Sequence, residues 1–123
     1  MSGEKRRKGP YYVKIDHALI DSEAWLHLSP HAFKLLVAIW RQHNGKNNGQ
    51  IPFSRDQACA VLKCTTRIAR RAFEELQEKG FIRLRRDSGF NQKSTVAREW
   101  EITAEAMGLS LPSAEYQGWT ADD

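Results

Sequence analysis

Between Pro30 and His43, Phe33, Leu36, Val37 and Trp40 recur at steps of three and four, with Leu35 and Ile39 widening the stripe. That period predicts an amphipathic helix over 30–43 with this stripe in the core. Ser29-Pro30 supports its start: serine can cap free amides, and proline at the first helical position loses no hydrogen bond. Ser54 with Gln57 three residues on is a capping-box pattern and predicts a helix over 55–62, with Ala58 and Leu62 inward. Ala69, Ala72, Phe73 and Leu76 then set a third helix over 66–79, and Gly80 stands where a helix stops. Beyond it the period falls to two. Phe81–Arg85 and Val96–Ile102 read as strands separated by turn-rich residues, with Ile82, Leu84, Val96, Trp100 and Ile102 turned inward.

The fold expected is mainly α with a small β component. The short turn Lys63-Cys64-Thr65 makes the second and third helices a helix-turn-helix, and the hairpin over 81–102 is its wing. The approach to the first helix is less regular: Tyr11–Ile15 reads as a short strand and 21–28 as a turn of helix. Asn44–Gly49 reads as a loop that ends the first helix, and 50–53 as a further short strand. Residues 1–9 read as a disordered basic arm and 10–103 as the folded domain. Residues 104–123 read as an acidic, flexible tail that folding does not need, with one short helix near 104–107.

Charge sharpens the picture because it is unevenly spread. The chain has a net charge of +4, yet residues 63–100 hold ten Lys or Arg against five acids, while residues 101–123 hold five acids and no base. A basic block on the third helix and hairpin favours an anionic partner. Cys59 and Cys64 are too few for a disulfide framework or a zinc site and are expected as reduced core thiols. The four histidines suggest no metal site. No nucleophile motif, phosphate-cradling glycine loop or paired acids argue for an enzyme, and no cofactor or small-molecule ligand is implied. With no apolar run of membrane length and no secretory pattern, a cytoplasmic protein is expected.

The run from Leu28 to Ile82, with "NGKNNGQIPFS" and the pattern Ala69, Arg71-Ala72, Glu75-Leu76, Gly80-Phe81-Ile82, followed by Glu99-Trp100, resembles a family of small winged-helix proteins. Its members occur on bacterial chromosomes, plasmids and prophages, notably in alphaproteobacteria, and are similar to reader domains of plasmid and phage replication or transfer regulators. The resemblance covers about residues 12–103 and implies a winged fold and DNA binding. Lys63 stands where glycine commonly precedes the reading helix, and Ile68 where a small polar residue is usual.

Winding the third helix at about 100° per residue turns Arg67, Arg71, Glu74 and Glu78 outward, with Ile68 and Arg70 on the flanks. Phosphates repel the acids, so the N-terminal half is expected in the major groove. Arg67 and Arg71 are the candidates for base readout through guanine O6 and N7, with Thr66 beside them and Ile68 placed to touch a thymine methyl. Thr65, Arg70, Arg83, Arg85, Arg86, Lys93, Arg98 and Arg55 are the candidates for the DNA backbone, where contacts set register and affinity. Arg70 with Glu74 and Arg71 with Glu75 are expected as ion pairs if the face is merely solvated. Trp25, Trp40 and Trp100 read as core. The function expected is sequence-specific binding of double-stranded DNA, as a transcriptional regulator of a mobile element, with a homodimer as a further possibility. Replication initiation or transfer control is the alternative within that class, and a winged-helix protein-interaction module is the alternative outside it.

Overall fold

The computed structural model describes residues 11–87, 89–90 and 95–121. Its elements in chain order are α1 (His17–Ile20), α2 (Glu23–Leu26), α3 (Pro30–Arg41), β1 (Ile51–Pro52), α4 (Arg55–Leu62), α5 (Thr66–Glu78), β2 (Ile82–Arg86), β3 (Gly89–Phe90), β4 (Thr95–Val96) and β5 (Glu99–Ile102), followed by a 3-10 turn over Glu115–Gly118. Helices α3, α4 and α5 pack on one another, and an antiparallel sheet in the order β1-β5-β2 closes the other side of the core. The basic arm expected over 1–9 lies outside the described residues. Tyr11–Ile15 runs unpaired and is not a strand.

Local chemistry sets the helix ends. Ser29 Oγ accepts the Ala32 amide at 3.2 Å, with Pro30 in the first turn. Ser54 and Gln57 cap reciprocally, the Ser54 amide donating to Gln57 Oε1 at 2.8 Å and the Gln57 amide to Ser54 Oγ at 3.1 Å. The predicted α3 stripe is rotated. Ala32, Leu35, Leu36, Ile39 and Trp40 are buried, whereas Phe33 is 42% exposed and Val37 half-buried. So many positions of this helix are apolar that two overlapping stripes satisfy its period, and the placement of α4 and α5 selects between them.

Lys63 closes α4 in left-handed backbone, φ 54° and ψ 53°. The Lys63 and Cys64 amides both donate to the Cys59 carbonyl, an arrangement that brings the two free cysteines together across the turn. Burial pushes the Cys64 thiol up, and neighbouring Cys59 adds to the rise. A side chain in left-handed backbone costs about 1 kcal/mol relative to glycine. Lys63→Gly is therefore expected to raise stability in urea titration by up to about that amount. A drop in stability would mean that the lysine side chain contributes more than the backbone costs.

Trp100 anchors the sheet. It is fully buried, stacks on Phe73 with ring centres 5.2 Å apart, and donates its indole N–H to the Phe53 carbonyl at 3.0 Å. Register pairs Ile51 and Leu84 with Trp100 and Ile82 with Ile102. Leu84, expected inside, is 36% exposed, because the pairing shifts between Leu84 and Arg86 and the strand leaves the core there. The predicted long return strand is broken into β4 and β5, and β3 with β4 forms a separate two-stranded tip.

The packed unit also runs past the expected boundary at 103. Tyr116 is buried and stacks on Phe81, ring centres 5.4 Å apart and 8° from parallel. Thr103 is buried, donates its hydroxyl to the Gly80 carbonyl at 2.6 Å and accepts the Ala114 amide at 2.7 Å. Trp119 packs under Lys79, whose Nζ lies 4.9 Å from the ring centre. No helix forms at 104–107; that stretch turns and is held by Asn48, whose side-chain amide donates to the carbonyls of Ile102, Glu105 and Ala106 at 3.0 Å each. The loop Asn44–Gly49 thus does more than end α3: it carries the buried residue that stitches the chain's last third to the sheet.

Candidate nucleic-acid interface

The site proposed from sequence is built on α5 and the strand that leaves it. Thr65 caps α5 by accepting the Ile68 amide at 3.3 Å, so its hydroxyl already holds one partner. From that cap the helix turns Ala69, Ala72, Phe73 and Leu76 into the core, which leaves Thr66, Arg67, Arg70 and Arg71 exposed and Ile68 half-buried. These residues share the N-terminal half of one helix. Arg55 is exposed too, but it opens α4, a helix length away from the turn.

The arginines of this face are not equivalent. Arg70 lies 4.0 Å from Glu74, as the helical spacing predicts. Arg71 and Glu75 do not pair. The Glu75 carboxylate instead reaches α3, accepting the Ser29 amide at 2.8 Å and the Ser29 hydroxyl at 2.6 Å, with Lys79 at 3.4 Å. Burial pushes the Glu75 carboxyl up, but the Ser29 hydrogen bonds and the Lys79 ammonium outweigh it and hold it below the usual carboxylate range. Arg67 and Arg71 have no carboxylate within ion-pair distance among the described residues.

A lowered native value means that Glu75 stabilises the fold fully above the ordinary glutamate value of about 4.3, and less as pH falls through it toward the native one. Glu75→Gln is expected to remove that part of the acid sensitivity and to lower stability at neutral pH. Urea titrations of both proteins between about pH 3 and pH 7 check this. Parallel pH curves would mean that the Ser29 contacts contribute equally in both protonation states.

The hairpin differs from expectation in its charge. Arg83 pairs with Glu115, Arg85 lies 3.5 Å from buried Glu101, and Arg86 lies 3.5 Å from Glu99. Antiparallel pairing of β2 with β5 places Arg86 opposite Glu99 and Glu101 opposite Arg83, two residues from the Arg85 it pairs with, while Glu115 reaches Arg83 from the 3-10 turn. The signal was present in sequence as "IRLRR" facing "EWEI", opposite charges on strands that pair. Arg98, expected on the DNA backbone, is half-buried, its guanidinium 5.4 Å from the Phe73 ring centre and 5.6 Å from that of Trp100. It roofs the aromatic core, where a guanidinium gains from the ring faces what a phosphate contact would need it to give up. Lys93 lies outside the described residues.

Among the described residues no group of three or more His, Cys, Asp or Glu is placed to hold a metal ion, and no helix is long and apolar enough to cross a membrane. In comparisons with family models, with curated proteins and with solved structures, no match to this chain is found.

Proposed function

We propose that this chain is a cytoplasmic winged helix-turn-helix protein that binds double-stranded DNA, inserts the first turns of α5 into the major groove and acts as a transcriptional regulator on a mobile element. The observation that carries the reading is the pair Arg67 and Arg71: two exposed arginines one helical turn apart, free of carboxylates among the described residues, at the N-terminal end of a helix whose other face is core. A bidentate guanine contact needs a guanidinium that no carboxylate already occupies. The helix dipole adds favourable potential for phosphates at this same end. In this reading the β2–β5 hairpin is the wing, and Arg83 and Arg86, both more than half exposed, exchange their solvent-reached carboxylate partners for phosphates at little cost, since such pairs are worth about 0–1 kcal/mol, whereas Arg85 is tied to buried Glu101.

Selection from a random duplex library tests the proposal. An enriched motif is expected, with log affinity for it falling linearly in log salt by about 0.9 per phosphate contact. A palindromic motif would report paired readers. No enrichment, together with salt-insensitive binding, would assign the basic face to an acidic protein partner.

A further inference from the structure

Two thiols meet where α4 turns toward α5, and the DNA reading leaves both unused. Cys59 and Cys64 are free and half-buried: each packs against the core on one side and stays within reach of a small solute on the other. In a continuing helix, residues five apart would lie about 7.5 Å along the axis and about 140° around it, on different faces. Here the left-handed backbone at Lys63 folds the chain back instead.

The fold-back is tight enough to measure. The Cys64 amide donates to the Cys59 carbonyl at 3.3 Å, and the Lys63 amide donates to the same oxygen. Covalent geometry on either side of such a bond allows the two Cα atoms no more than about 7 Å, and less when the bond is bent. Disulfides span Cα separations of about 4.4–6.8 Å. Side chains at these two positions of a left-handed helix stop commonly touch. Burial raises the Cys64 thiol, and Cys59 is close enough to raise it further.

We propose that Cys59 and Cys64 are a redox-active dithiol that closes reversibly into a disulfide across the α4–α5 turn, with a low-molecular-weight disulfide such as oxidised glutathione as the oxidant. One cysteine loses its proton and attacks the small disulfide, which forms a mixed disulfide and releases one small thiol. The other cysteine, as thiolate, then attacks the protein sulfur of that mixed disulfide and releases the second small thiol. Two electrons pass from the protein pair to the small disulfide, and the two protons end on the departing thiols. The bridge ties Cys64, and with it the neighbouring Thr65 cap of α5, to α4.

Equilibration of the full chain with mixtures of reduced and oxidised glutathione, folded in buffer and unfolded in urea, tests this once each sample is alkylated and weighed by mass spectrometry. The folded parent is expected to lose both thiols together, at the mass of one chain and without glutathione adducts, and to regain them with a dithiol reductant. Its bridging constant should exceed that of the unfolded chain at least about tenfold, because the fold already holds the cysteines together; by linkage, the bridged chain then needs more urea to unfold. Cys59→Ser and Cys64→Ser should each end with one glutathione adduct, since no second thiol remains to displace it. The proposal is overturned if the folded parent carries adducts or links to a second chain in place of the bridge, keeps both thiols free, or bridges no more readily folded than unfolded. No DNA enters the measurement, so its outcome is separate from that of the duplex selection.

Discussion

Arg67→Ala and Arg71→Ala are each expected to lower affinity for a selected duplex by about 1–3 kcal/mol, roughly five- to 150-fold, while affinity for random duplex falls much less. The difference arises because a bidentate guanine contact exists only on the right sequence, whereas the residual attraction of a single positive charge is felt on any duplex. Arg85→Ala and Arg86→Ala should instead weaken both duplexes about equally and flatten the salt dependence by up to about 0.9 each. Their carboxylate partners compete with phosphate, so Glu99→Gln, which releases Arg86, should tighten both. Fluorescence anisotropy on both duplexes across a salt series measures all of these effects together. Equal behaviour of all four arginine variants would remove the distinction between a reading helix and a backbone clamp, and no loss in any of them would remove the DNA proposal.

The other large effect concerns the chain's end. Stopping after Thr103 is expected to destabilise the fold by about 3–5 kcal/mol, a large share of the roughly 5–15 kcal/mol that holds a small domain together. The truncation uncovers Phe81, which Tyr116 roofs, and strips the Ala114 hydrogen bond from the buried Thr103 carbonyl. It also removes the cover that Trp119 gives Lys79. Tyr116→Ala isolates the first of these terms and should cost about half as much or more. Gly80→Ala probes the same contact from the other side: its Cβ would lie 2.8 Å from the Glu115 carbonyl carbon and the Tyr116 amide nitrogen, at a φ of +83°. Urea denaturation of the three variants gives the comparison. Unchanged midpoints for all three would show that residues 104–121 contribute nothing to stability.

What local pattern determined here is the three main helices, α3, α4 and α5, and where each begins, whereas α1 and the 3-10 turn were not legible. Ser29-Pro30, Ser54 with Gln57, Thr65 and Gly80 act within one turn of chain, through hydrogen bonds and backbone angles that neighbours in sequence supply. The inward face of α5 was legible for the same reason, since Ala69, Ala72, Phe73 and Leu76 are interrupted by charges that leave a single apolar stripe. Arg67 and Arg71 on the opposite side followed from that stripe alone.

Long-range placement decided the rest. In α3 the apolar residues are too many for the period to choose a face, and only the arrival of α4 and α5 separated buried Leu35 and Ile39 from exposed Phe33. Glu75 looked like a partner for Arg71 four residues before it, but Ser29, distant in sequence, offered two short hydrogen bonds and won the carboxylate. The charge of the hairpin depended on register: a one-residue slip would turn the side chains of one strand to the opposite face. The tail looked unable to fold because its composition is polar, acidic and rich in turns. Burial is a property of contacts rather than composition, and Tyr116, Thr103 and Asn48 suffice to fasten the segment, since each fills or satisfies a site that the rest of the core leaves open.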